Sequence, residues 1–89
     1  MTKIYRVAII GCGNRGKAAA VAYTAHPRTD LIAICDVNPE LSRALGDECN
    51  VQARYRDYHR MLENEAPDIV VIPVATELHY SLASAVIDY

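Results

Sequence analysis

Three glycines constrain this chain more than any other feature. Gly11, Gly13 and Gly16 stand in the stretch "GCGNRGKAAA", between the apolar run "YRVAII" and a segment of small residues. The segment Ile4–Ile10 ends in four consecutive apolar residues, Val7–Ile10, a run that suits a strand buried on both faces, as in a parallel sheet. The following segment, Asn14–Ala25, carries Ala18, Ala19, Ala20 and Ala22 and reads as a helix able to lie close to that sheet. His26 and Pro27 end it, because proline cannot continue the hydrogen-bond ladder. A buried strand handed to a helix through a glycine-rich turn is the opening of a β-α-β unit.

The same alternation continues. Asp30 opens a second buried strand, Leu31–Cys35. Asn38 followed by Pro39 marks a helix start, since Asn caps the first free amides and Pro suits the first helical position. That helix is expected to run to about Gly46–Glu48. A short strand is expected around Gln52–Tyr55. Asp57 caps a third helix, in which Tyr58, Met61 and Leu62 fall at i, i+3 and i+4. Pro67 and Asp68 precede a further buried strand, Ile69–Ile72. Thr76 caps a last helix with Leu78, Leu82 and Val86 on one face. Asp57, Asp68 and Glu77 all read as cap or helix-start residues. Alternating strands and helices predict an α/β chain with a doubly wound parallel sheet, strand order 3-2-1-4, in one domain over residues 1–89.

Composition narrows the function classes. The chain has 89 residues, 52% of them hydrophobic and 22% charged, which is a globular balance. Its formal net charge is -2, with no basic block or stripe and no Trp or Phe, so no nucleic acid partner is expected. No apolar run approaches the length of a signal peptide or a membrane span. Cys12, Cys35 and Cys49 show no CxxC spacing and read as small hydrophobes in a reducing compartment, with no metal site. A cytoplasmic protein is expected.

Each glycine has a physical task in this context. Gly11 allows the tight turn out of the strand. Gly13 has no side chain to block a pyrophosphate approaching the backbone. Gly16 lets the helix pack against the strands. The free amides around Asn14–Gly16 and the positive helix end attract phosphates. Asp36 stands 20 residues past Gly16, at the end of the second strand, where a carboxylate can accept hydrogen bonds from both ribose hydroxyls of an adenosine. Strand, glycines, helix, strand and acid together make a Rossmann-like dinucleotide-binding pattern. Cys12 reads as a loop filler, because nothing nearby lowers its pKa. No catalytic triad, paired catalytic carboxylates or HxxxH set is present in the sequence.

The segments "VAIIGCGNRG", "LIAICDVNPE", "YRDYHRMLENEAPDIVVI" and "ATELHYSLA", in this order, resemble the N-terminal part of the Gfo/Idh/MocA oxidoreductase family over nearly the whole chain. The resemblance implies a nicotinamide cofactor and hydride transfer to or from a sugar, cyclitol or related polyol. Carried over by position, it implies that Gly11, Gly13 and Gly16 cradle the pyrophosphate, that Asn14 and Arg15 add loop contacts, and that Asp36 holds the adenosine ribose. It places Val74–His79, and with them Thr76 and His79, on the nicotinamide side. NAD is expected in preference to NADP, because Asp36 would repel a 2′-phosphate and the next residues, Val37, Asn38 and Pro39, carry no base. A homo-oligomer is implied for the full-length protein.

The chain departs from the family pattern in two places. It reads Pro73-Val74-Ala75-Thr76 where members usually have Thr-Pro. The Glu-Lys-Pro motif that carries the family's catalytic lysine would fall beyond Tyr89, as would the substrate domain. The expectation is therefore an incomplete Rossmann domain of about four β-α units, with no catalytic residue in this stretch and no activity by itself. Two other readings use the same loop and acid: a non-catalytic nucleotide-sensing module and an S-adenosylmethionine-binding methyltransferase.

Overall fold

The computed structural model describes residues 3–73. The element order is β1 (Tyr5–Ile10), α1 (Asn14–Ala25), β2 (Thr29–Cys35), α2 (Pro39–Cys49), β3 (Ala53–Tyr55), α3 (Tyr58–Glu65) and β4 (Ile69–Val71). The strands pair in parallel in the order β3-β2-β1-β4. The chain thus steps outward from β1 through β2 to β3, then crosses back to place β4 on the other side of β1. The reversal leaves a topological switch point between β1 and β4, at whose carboxyl end ligands bind in open α/β sheets. The expected helix beginning at Thr76 lies outside the described residues.

Residue alternation along the strands builds two cores. Ala8, Ile10, Ala33 and Cys35 face α3 and pack with Met61, Leu62 and Ile72. Ile9 and Ile34 face the other way and pack with Cys12, Ala20 of α1, Leu45 of α2 and Val51. Helices therefore cover both faces, which is why β1 reads as an unbroken apolar run and not as an alternating one. Val7, Ala8, Ile9, Ala33 and Ile34 are fully buried.

The helix ends follow local chemistry. The Asn38 side chain accepts from the Glu40 amide at 3.0 Å, with Pro39 in the first turn. The Asp57 side chain accepts from the His59 amide at 2.9 Å. Both caps are the expected ones. Asn50 and Ala66 end α2 and α3 in the left-handed region, with φ of 59° and 44°.

Element ends differ from expectation by one or two residues, and one residue differs in role. β2 begins at Thr29, because Thr29 and Asp30 pair with Tyr5 and Arg6 of β1. α2 continues through Gly46 to Cys49. Asp68 is not a helix-start residue. It precedes β4, where its carboxylate accepts the Arg6 amide at 2.9 Å and its own amide donates to the Arg6 carbonyl at 2.8 Å.

Candidate dinucleotide site

The site forms where β1 ends. Gly11 has φ of 111°, a region open to glycine and strained for other residues, and its amide donates to the Cys35 carbonyl at 2.7 Å. The turn therefore leaves β1 while still bonded to the end of β2. A Cβ placed on Gly16 would run into the Gly11 carbonyl, so α1 can approach the strand end only with glycine there. A Cβ on Gly13 would meet nothing within 4 Å. The protein's own packing gives no reason for glycine at position 13; the space beside it is open for something else.

α1 starts immediately after Gly13. No side chain caps it and no acidic residue lies in its first turn. Its first turn of amides has no intrahelical acceptor, and nothing negative neutralises the helix dipole there. Asn14 and Arg15 are its first two residues, both exposed.

Asp36 closes the other side of the loop. Its Oδ2 accepts the Cys12 amide at 2.7 Å and its Oδ1 accepts the Asn38 amide at 2.8 Å. The Asp36 amide donates to the Tyr55 carbonyl at 3.0 Å. A carboxylate offers about four acceptor positions. One on each oxygen is used, so each oxygen keeps one for an incoming hydroxyl. The side chain is half-buried and fixed before any ligand arrives. These two amide bonds were not legible in the spacing, which gave only the acid's place at the strand end.

A groove of about 190 Å³ runs from the loop toward α2, lined by Cys12, Gly13, Asn14, Lys17, Leu41 and Leu45 among others. Lys17 and Glu48 form an ion pair at 3.3 Å between α1 and α2. Cys12 lies beneath the loop as a packed thiol. Burial first, then the Asp36 charge, pushes its pKa up to about 12. Burial, then Asp36, pushes Cys35 up to about 11. Neither is a nucleophile at neutral pH, as the filler reading of Cys12 expects.

The described residues thus bring together Gly11, Gly13, Asn14, Arg15, Gly16 and Asp36 at the carboxyl end of the sheet. Thr76 and His79 lie outside them. Among the described residues no group of three or more His, Cys, Asp or Glu side chains could hold a metal ion. No helix among them is long and apolar enough to cross a membrane.

Comparison with known proteins agrees with this geometry. The Gfo/Idh/MocA family model, described as an oxidoreductase family with an NAD-binding Rossmann fold, matches residues 5–89. A D-apiose dehydrogenase of Paraburkholderia graminis is 32% identical over 80 residues, covering 90% of this chain and 21% of that protein. A glycosyl hydrolase family 109 protein of Streptomyces coelicolor is 31% identical over 84 residues, covering 84% of this chain and 18% of that one. An Agrobacterium radiobacter oxidoreductase, solved with NAD+, L-tartaric acid and magnesium, superposes with a TM-score of 0.80 at 27% identity, over 88% of this chain and 23% of that one. A 3-ketoreductase of Actinomadura kijaniata, solved with NADP, superposes with a TM-score of 0.71 at 25% identity, over 81% of this chain and 23% of that one. The chain spans about a fifth of the length of the curated relatives it matches. Asp36 and the glycine turn are therefore read in a known setting, and the chain belongs to the Gfo/Idh/MocA oxidoreductase family, within its NAD-binding Rossmann fold.

Proposed function

We propose that the protein is a nicotinamide-dependent oxidoreductase that moves a hydride between the cofactor and a sugar, cyclitol or related polyol, and that it prefers NAD to NADP. The observation that carries this reading is the Asp36 carboxylate, held by the Cys12 and Asn38 amides with one acceptor position left on each oxygen. Two ribose hydroxyls match two such acceptors. A 2′-phosphate carries about two negative charges and turns one of those hydrogen bonds into a repulsion.

The other residues fit the rest of a dinucleotide. The open space at Gly13 admits a pyrophosphate to the backbone. The uncapped amides at Asn14, Arg15 and Gly16 donate to its oxygens, and the absence of acid in the first turn leaves the helix dipole unopposed. Gly11 and Gly16 hold the turn and helix in register. Thr76 and His79 complete the proposal on the nicotinamide side. The cofactor supplies the hydride chemistry; the share of these residues is binding and orientation. The proposal extends to a cytoplasmic protein that is a homo-oligomer at full length.

Family membership displaces the S-adenosylmethionine reading. The test is calorimetric titration of the full-length protein and its Asp36→Ala variant with NAD and NADP. NAD is expected to bind the wild type more tightly, and Asp36→Ala to weaken NAD and narrow the gap. Tighter binding of NADP to the wild type would refute the preference. Absence of binding by either cofactor would refute the assignment.

A further inference from the structure

The sheet register brings a second charged residue beside Asp36. β2 and β3 pair with Cys35 opposite Tyr55, and the Asp36 amide donates to the Tyr55 carbonyl at 3.0 Å. Arg56 follows Tyr55, so it adjoins the peptide whose carbonyl takes the Asp36 amide, just past the ends of the two strands. Cys35 and Tyr55 both pack in the core facing α3. Twenty positions separate them in sequence, and the pairing appears only once the register is known.

The basic residues nearby differ in how they are engaged. Lys17 pairs with Glu48 at 3.3 Å, Arg43 with Glu40 at 2.7 Å and Arg54 with Asp47 at 2.9 Å. Arg56 is exposed, and among the described residues its guanidinium has no hydrogen-bond or ion-pair partner. It makes no ion pair with Asp36, whose two oxygens accept the Cys12 and Asn38 amides. An exposed arginine therefore follows directly on the residue whose carbonyl takes the amide of Asp36, the residue that would receive the ribose. A guanidinium is the side chain best shaped to bind a phosphate in two hydrogen bonds.

We propose that Arg56 recognises the 2′-phosphate of NADP, and so sets how far the protein discriminates against that cofactor. Asp36 disfavours the phosphate and Arg56 attracts it. The preference for NAD is the difference between these two effects, and NADP remains a ligand. This inference rests on the reading that the adenosine ribose lies at Asp36.

The experiment measures NAD and NADP affinities of the full-length wild type and of Arg56→Ala, Arg56→Lys and Asp36→Ala at low and high salt. Arg56→Ala is expected to widen the NAD-to-NADP affinity ratio about tenfold, the scale of one exposed charge-assisted contact. Arg56→Lys should recover part of that loss, because it keeps the charge without the fork. The effect should shrink at high salt. Arg28→Ala, at the opposite end of the sheet, should leave the ratio where it was. An unchanged ratio in Arg56→Ala, or equal loss of both cofactors, overturns the proposal. If Asp36→Ala behaves as expected while Arg56→Ala does not, the Arg56 assignment alone fails. If NAD binding is indifferent to Asp36→Ala, the ribose is elsewhere and both fail.

Discussion

The Asp36 carboxylate accepts the Cys12 amide at 2.7 Å, which ties the end of β2 to the middle of the glycine turn. The same carboxylate accepts the Asn38 amide at the head of α2. One side chain therefore joins three pieces of backbone that a cofactor must find in fixed relation. Its removal is expected to do more than delete a ligand contact. Asp36→Ala leaves two amides without their partner and should lower stability by about 1–3 kcal/mol. Urea unfolding of wild type and variant checks this. Equal stability would mean that the two amides find water at no cost and that the carboxylate serves the ligand alone.

Gly13 and Gly16 should respond in opposite ways to substitution. A Cβ at Gly16 overlaps the Gly11 carbonyl, so Gly16→Ala should destabilise the fold by about 1–3 kcal/mol through forced backbone movement. Gly13→Val meets no protein atom at its Cβ and should change stability by no more than about 1 kcal/mol, the scale of a helix-cap change. Gly13→Val should nonetheless abolish NAD binding, because its side chain fills the space that the pyrophosphate needs. Unfolding curves and cofactor titrations on both variants separate the two tasks. A folded Gly13→Val protein with undiminished affinity would reduce the turn to a structural element.

Gly46 shows where the sequence was harder to read. The expectation ended α2 at about Gly46–Glu48 and gave no reason for a glycine at position 46. The helix instead runs through it to Cys49. The glycine has a partner 8 positions away: a Cβ on Gly46 would strike the Arg54 side chain, which bonds the Val51 carbonyl through Nε at 2.7 Å and pairs with Asp47 at 2.9 Å. Gly46→Ala should therefore displace the Arg54 side chain, and the loss of its Val51 and Asp47 contacts should cancel the roughly 1 kcal/mol that Ala gains in helix propensity. Arg54→Ala should remove most of that penalty in the double variant, which a double-mutant cycle in thermal unfolding would show.

The parts that were legible share a cause. Strand order, caps and the glycine turn depend on residues close in sequence: apolar runs, Asn38 before Pro39, Asp57 before Tyr58, and Gly11 through Gly16. The parts that were not legible depend on register across the sheet. The earlier start of β2 comes from pairing of Thr29 and Asp30 with β1. The role of Asp68 comes from its bonds to Arg6, 62 positions away. The contact between the Asp36 amide and the Tyr55 carbonyl, which brings Arg56 near, continues the β2–β3 pairing. Local pattern specifies which elements form, but one cannot count across a sheet until the pairing is known.

The buried thiols should give stability a particular pH dependence. Burial raises Cys12 from 9.0 to about 12 and Cys35 from 9.0 to about 11. The folded state therefore keeps their protons more tightly than the unfolded chain does. Their contribution is fully present below about pH 9 and is lost as pH rises toward the folded values. The stability gap between wild type and a Cys12→Ala, Cys35→Ala variant should shift against the wild type as pH rises from about 9 toward about 11. Unfolding at several pH values measures this, and a constant gap would contradict it. In the native protein near neutral pH, iodoacetamide should modify the half-buried Cys49 before either of the buried thiols.

The central claim is that a nicotinamide dinucleotide lies on the Gly11–Gly16 turn with its adenosine ribose on Asp36. A crystal structure of the full-length protein with NAD tests it most directly. Both ribose hydroxyls should lie within hydrogen-bond distance of the Asp36 oxygens, at about 2.5–3.0 Å, with pyrophosphate oxygens on the amides that follow Gly13. A dinucleotide whose ribose lies away from Asp36, or whose pyrophosphate makes no contact with the turn, would contradict it.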